Sequence, residues 1–221
     1  MTSTNLTILA AVFGLAHIYF DYAKNIKATY VFKPLVCATL IGMVAFFGQA
    51  APEQYRYLIM AGLFFSMLGD ICLMLEREKF IQGLVSFLLA HILYLLAFSH
   101  VANLAGPHPW LLIALLVVSA TLVWRYLYSS LGDMNIAVVV YITAIVLMCA
   151  SAATWMTQSS GSSTLHLSSV LAFAGSLWFM ASDTNLSINR FKHAYAAGQL
   201  VTLFTYYLAQ ILIAWSVLTW G

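Results

Sequence analysis

The chain has 221 residues, of which 63% are hydrophobic and only 7% charged, and its net charge is +2. Soluble domains carry about 25% charged residues, so this is the composition of an integral membrane protein. It excludes a water-soluble enzyme. Without a basic run or an RNA-binding signature, it gives no sign of a nucleic-acid partner.

The cysteines set a second bound. Cys37, Cys72 and Cys149 all lie in apolar runs, form no CxxC pair and are odd in number. That pattern supports neither a disulfide framework nor a zinc knuckle, and buried free thiols are expected. No charged segment precedes Leu6 and no small-residue cleavage site follows it, so the first apolar stretch is expected to be retained.

A helix crossing the hydrocarbon needs about 20 mostly apolar residues. Eight such helices are predicted, over 5–22, 34–50, 57–75, 80–99, 109–128, 135–156, 165–183 and 194–219. The connections are short, so the expectation is an all-α, polytopic protein with one domain over residues 1–221. The low-complexity patch over 158–163 reads as a flexible loop.

Helix 1 brings His17 and Asp21, spaced i, i+4 on one face, and Asp21 lies close enough to Lys24 to read as an interface charge. Helix 2 is expected to open on Lys33-Pro34, because proline suits the first helical position. Lys33 can then snorkel toward phosphate level. Helix 3 ends in Gly69-Asp70-Ile71-Cys72-Leu73, with Arg77 and Lys79 beyond. Helix 4 carries His91 and Tyr94 on one face, and helix 6 carries Asn135 near its start and Tyr141 about two turns deeper. Helix 7 ends in Ser182-Asp183-Thr184-Asn185-Leu186, with Arg190 and Lys192 beyond. Helix 8 carries Tyr195 and Gln199, then Tyr206 and Gln210, each pair at i, i+4. Each of these polar residues has a plainer role open to it, as a hydrogen bond between helices. Trp110 and Trp220 near helix ends read as aromatic belt.

The two aspartate stretches match. Counted from the aspartate, both have a small residue at −1, Leu at +3, Arg at +7 and Lys at +9. A carboxylate in an apolar run is costly to desolvate and usually faces a cavity or a partner. Two at matching positions point to one site. The plainer alternative pairs each aspartate with its own downstream arginine. Helices 3 and 7 are four apart, so a 4 + 4 parallel repeat would explain the match.

Orientation follows from the cations. Eight of the nine Lys and Arg fall on one side of the predicted helices, and Arg56 alone on the other. The cation-rich side is cytoplasmic, which places both termini outside the cytoplasm. Asp70 and Asp183 each precede their arginine by seven residues, about 10 Å along a helix. Both therefore belong just inside the cytoplasmic hydrocarbon boundary, with Lys33, Arg190 and Lys192 just outside, where a lipid phosphate would lie.

Two carboxylates close together in a low dielectric cannot both ionise easily, so the pair holds one proton. It combines a general acid with a general base. Such a pair suits acid-labile C–O bonds that pass through an oxocarbenium-like species captured by water. No nucleophile elbow, H-E-x-x-H, P-loop or G-x-G-x-x-G competes. A zinc site of His91, Asp70 and Asp183 is a weak alternative, because the ligands are scattered. A proton-coupled transporter of lipids or small solutes, with the same aspartates as protonation sites, is a further one. An inert scaffold would need no paired aspartates.

The stretches G-D-I-C-L-M-L at 69–75, F-x-x-G at 80–83, A-H-I-L-Y at 90–94, S-D-T-N-L-S-I-N-R-F at 182–191 and Y-Y-L-A-Q at 206–210, with Lys33-Pro34-Leu35, resemble the YhhN-like family, which includes the lysoplasmalogenases. The resemblance spans Lys33 to Gln210. It implies an eight-helix hydrolase, in a bacterial inner membrane, that cleaves the sn-1 vinyl ether bond of lysoplasmalogens. The products would be a fatty aldehyde and glycerophosphocholine or glycerophosphoethanolamine. The family's paired aspartates map onto Asp70 and Asp183. On this reading Asp70 is the acid and Asp183 the base. Lys33, His91, Tyr94, Asn135, Tyr141, Asn185, Arg190, Tyr206 and Gln210 are substrate-binding candidates. The scheme needs no metal or other cofactor. Its partners are the lysophospholipid and the membrane lipids.

Overall fold

The computed structural model describes residues 2–75, 79–161 and 163–220. It contains eight long α-helices in chain order: α1 (Ser3–Tyr22), α2 (Ile26–Phe47), α3 (Glu53–Met74), α4 (Phe80–Val101), α5 (Trp110–Leu131), α6 (Asn135–Gln158), α7 (Ser163–Ser187) and α8 (Gly198–Leu218). No strand occurs among the described residues. Seven stretches are long and apolar enough to cross a membrane, and one of them, the 49-residue Trp110–Gln158, holds both α5 and α6. These two helices are separated at Gly132, whose φ of 50° suits a residue without Cβ. They pack against each other, and the Trp124 indole donates to Asn135 Oδ1 at 3.0 Å across the turn.

Several predicted helix edges move, among them the start of the eighth helix, which at Gly198 leaves Tyr195 outside it; two of the shifts bear on the polar residues. The second helix starts at Ile26, not at Lys33-Pro34. Asn25 caps it by accepting from the Ala28 N–H, and 26–32 is apolar enough to extend the helix outward. Pro34 therefore lies inside α2, two turns from its start. The seventh helix does not stop at Asp183. It runs on to Ser187 and closes in a π turn, Ile188–Lys192. Its extra turn is held by side-chain bonds, from Asn185 to the Gly198 carbonyl and Thr202 Oγ1 and from Asn189 to the Asn185 carbonyl.

The buried residues form stripes at helical spacing. On α2 they are Lys33, Val36, Cys37, Leu40, Met43 and Val44, and on α4 Gly83, Phe87, Ala90, His91, Tyr94, Ala97 and Phe98. Each stripe turns inward, with apolar side chains toward lipid on the other face. The helices close a ring in which α2 packs on α3, α3 on α4, α4 on α6, α6 on α7, α7 on α8 and α8 back on α2. Outside the ring, α1 packs on α2 and α8, and α5 packs on α6. At the centre Phe179, fully buried, meets the rings of His91, Phe87, Tyr206 and Tyr94 at centroid distances of 4.5, 6.2, 5.5 and 6.3 Å.

Candidate active site

Asp70 and Asp183 occupy equivalent helical positions. Each lies four residues before the last residue of its helix, Met74 in α3 and Ser187 in α7. Both are buried, and both line one cavity of about 190 Å³. A water molecule needs roughly 10–15 Å³ by the same kind of measure, so the cavity has room for water beside a small polar group. Lys33, Phe80, Phe87, Arg190, Gln199 and Tyr206 contribute to its walls.

Asp70 is held from three sides. Lys33 Nζ lies 3.4 Å from its Oδ1. The Tyr206 hydroxyl donates to Oδ2 at 2.7 Å, and the Cys37 thiol approaches the same oxygen at 3.8 Å. Cys37 and the Tyr206 hydroxyl are themselves 3.4 Å apart. Helical geometry produces this cluster, because Lys33 and Cys37 are spaced i, i+4 and so share one face of α2.

Asp183 has different neighbours. The Tyr141 hydroxyl of α6 donates to its Oδ2 at 2.9 Å. His91 Nε2 of α4 lies 3.3 Å from the same oxygen. That contact is close but poorly aligned, and neither ring nitrogen of His91 has a hydrogen-bond partner within the protein. Because His91 is fully buried, the unpaired imidazole is costly as it stands.

Lys33 does not snorkel outward as expected. It is buried and faces the cavity, because α2 begins eight residues earlier than predicted and Asp70 offers it a counter-charge. Arg190 lines the cavity and stacks over the Phe80 ring, 4.4 Å from its centroid. Lys192 points elsewhere, bonding Ser129 Oγ at 2.9 Å and facing the Tyr126 ring. Arg77 lies outside the described residues, as does Ser162 of the predicted loop.

The remaining candidates fall in four places. His91, Tyr141 and Tyr206 touch the aspartates or their cavity. Tyr94 donates to Gln210 Oε1 at 2.8 Å, deeper between α4 and α8 and off the cavity lining. Asn135 bonds Trp124 in the α5–α6 turn. Asn185 donates to the Gly198 carbonyl and Thr202 Oγ1, both at 2.6 Å, and accepts from Tyr195, so it ties α7 to α8. Cys37 was missed as a neighbour of Asp70, although its i, i+4 spacing from Lys33 is visible in the sequence. Cys37 and Cys149 are buried free thiols, and Cys72 is free and half-buried. No group of three His, Cys, Asp or Glu with metal-ligand geometry occurs among the described residues.

The model of the YhhN family matches residues 28–217, a span that includes every residue of the cavity. The chain is 31% identical over 182 residues to lysoplasmalogenase TMEM86B of Sus scrofa, which covers 82% of this chain and 73% of the relative. It is 29% identical over 212 residues to lysoplasmalogenase TMEM86B of Rattus norvegicus, covering 96% of this chain and 81% of the relative. A shorter match, 33% identical over 101 residues, links it to the uncharacterized membrane protein YhhN of Escherichia coli O157:H7 and covers 44% of this chain and 47% of the relative. No solved structure matches the chain.

Proposed function

The chain belongs to the YhhN family, and we propose that it is an intramembrane hydrolase that cleaves the sn-1 vinyl ether bond of lysoplasmalogens with Asp70 and Asp183 as its acid–base pair. The observation that carries this reading is the single cavity lined by both aspartates, with Lys33 and Arg190 in its wall. The names of the mammalian relatives supply the substrate class.

We assign the two roles in the reverse of the sequence-based order, and the different neighbours of the aspartates support that choice. Lys33 gives Asp70 a cationic partner at ion-pair distance that suits a carboxylate. Asp183 has a phenol and an imidazole beside its Oδ2, and among the described residues no hydrogen bond reaches Oδ1, the oxygen that would carry a proton in this scheme. In the proposed reaction, Asp183 gives its proton to the vinyl carbon that does not bear oxygen. The remaining charge is an oxocarbenium ion centred on the other carbon. Asp70 takes a proton from water as the water oxygen bonds to that carbon. The hemiacetal then collapses: its hydroxyl proton returns to Asp183, the C–O bond to glycerol breaks, and the glycerol oxygen takes the proton from Asp70. Both aspartates return to their starting states. The Tyr206 hydroxyl positions Asp70, and Tyr141 positions Asp183. No cofactor enters the scheme.

The same reading places eight crossings in a bacterial inner membrane, with both termini outside the cytoplasm and the cavity near the cytoplasmic leaflet. The helix ring supports the 4 + 4 repeat. Advancing each ring helix by four takes α2, α3 and α4 onto α6, α7 and α8, and the contacts α8–α2 and α4–α6 exchange under that step. Asp70 and Asp183 are then symmetry mates.

The test is incubation of detergent-solubilised protein with lysoplasmenylcholine, with mass detection of the products. Fatty aldehyde and glycerophosphocholine in equal amounts are expected. Release of phosphocholine or choline in place of aldehyde, or no turnover, would overturn the proposal.

A further inference from the structure

We propose that the groove bounded by α5, α6 and α7 is the hydrocarbon-chain site of this enzyme, and that it admits a single chain end-on to Asp183. This rests on the hydrolase reading above and extends it to the part of the substrate that does not react.

The groove begins at the reacting groups. Asp183 and the Tyr141 side chain stand at its inner end, and Asp183 also lines the central cavity. From there its walls are apolar: Val123, Ile142, Ile145 and Met180. Past Ala120, Ile142 and Val146 it continues into a second apolar trough that reaches Val117, Val139 and Leu147. Those three outer residues are 47%, 41% and 49% exposed, so the trough opens to the side that lipid would occupy. From Val139 to Leu147 alone, α6 rises about 12 Å. The groove exists because the facing positions are small. Ser119 and Ala120 on α5, with Thr184 and Ser187 on α7, are too short to fill it.

The opposite side of the cavity has the opposite character. Lys33, Leu73 and Gln199 separate it from a recess among α1, α2, α3 and α8 that also holds His17, Asp21 and Lys24. The cavity thus lies between an apolar groove that starts at Asp183 and a polar recess that starts at Lys33. A molecule with one hydrocarbon chain and one charged head spans that sequence of surfaces. In a plasmalogen the vinyl group joins the chain to the glycerol, so a chain in the groove brings the vinyl carbon to Asp183. The groove's contribution is mainly positional. Lipid tails are about as apolar as its walls, so moving a chain from the bilayer into the groove gains little free energy. Misplacing the reacting carbon by about 1 Å, by contrast, can cost roughly 10²-fold in rate.

The decisive experiment uses a non-hydrolysable alkyl-ether lysophosphatidylcholine with a photoreactive group at the chain terminus, in detergent micelles with the full chain. Labelling should fall on α5 and α6 between residues 117 and 147, and excess unlabelled analogue should suppress it. Ala120→Trp should abolish that labelling and lower kcat/KM for a long-chain lysoplasmenylcholine about 10²-fold, with a smaller loss for a short-chain one. Leu122→Trp, on the 62% exposed lipid-facing side of α5, should change neither. If Ala120→Trp does not fold, labelling of the wild-type chain decides alone. Label spread over other helices, or undiminished by competitor, overturns the chain site even if aldehyde is produced. Label confined to the groove without any turnover sinks the hydrolase reading and leaves the groove as a lipid-chain site.

Discussion

Lys33 Nζ and Asp70 Oδ1 face each other at 3.4 Å, with side chains only 9% and 2% exposed. A pair so buried adds little net stability, because desolvating both charges offsets their attraction. Breaking it from one side, however, leaves an unpaired buried charge, which costs about 3–5 kcal/mol. Lys33→Met and Asp70→Asn should therefore each lower the Tm in detergent, and the double variant should recover much of the loss, because the two sites are coupled. Additive losses would mean that the pair does not interact in solution.

The burial of Lys33 beside Asp70 also changes its expected kinetic role. A lysine at phosphate level would contribute uniform binding and change KM. A lysine that holds Asp70 should change kcat as well. Lys33→Met is expected to lower kcat by tenfold or more, on the order of one hydrogen bond to a charged group. A pure KM effect would return Lys33 to the role of a headgroup anchor.

Tyr206 and Tyr141 offer a cleaner perturbation, since phenylalanine keeps each ring and removes only a hydroxyl. Tyr206→Phe takes a 2.7 Å donor from the Asp70 carboxylate, and Tyr141→Phe takes a 2.9 Å donor from Asp183, which becomes a carboxylate as it gives up its proton. A bond to a charged group is worth about 1.5–3 kcal/mol, so each change should slow kcat about 10–100-fold. KM should move little. Full activity in either variant would remove that tyrosine from the site.

Much of this site was legible because intramembrane carboxylates are costly and therefore rare. The two matched aspartates stood out for that reason, and so did the apolar runs that became α1 to α8. Lys33 was visible as part of a site, but its depth was not. That depth depended on α2 starting at Ile26, where the Asn25 cap outweighed the proline signal at Pro34. A polar amide on an apolar helix, such as that of Asn135 or Asn185, can bond a ligand or a neighbouring helix. Which partners it finds depends on helix neighbours, and here they are Trp124, Gly198 and Thr202. Cys37 went unassigned because a cysteine in an apolar run usually only packs.

Gly69 tests the packing behind the cavity. A Cβ there would lie 2.6 Å from Cε2 of Phe87, which lines the cavity and abuts Tyr206. Gly69→Ala should cost about 1–3 kcal/mol by overpacking and raise KM by pushing the ring into the cavity. Gly42 has open space at the same point, so Gly42→Ala should be neutral or slightly stabilising. Equal effects in the two variants would mean that Phe87 has room to move aside.

The aspartates carry the last prediction. Asp70→Asn and Asp183→Asn keep size and hydrogen-bonding capacity but cannot exchange a proton. Loss of a general acid or base costs about 10²–10⁴-fold, so each variant should lose most turnover of lysoplasmenylcholine. Asp183→Asn has no buried ion pair with lysine to break, so it should retain wild-type Tm more nearly than Asp70→Asn does. The double variant should be little slower than either single one, since the two act on one proton-transfer sequence and their effects do not add. A double variant slower by the product of the two losses would show two independent contributions. In that case the shared cavity would be a binding site whose aspartates act separately.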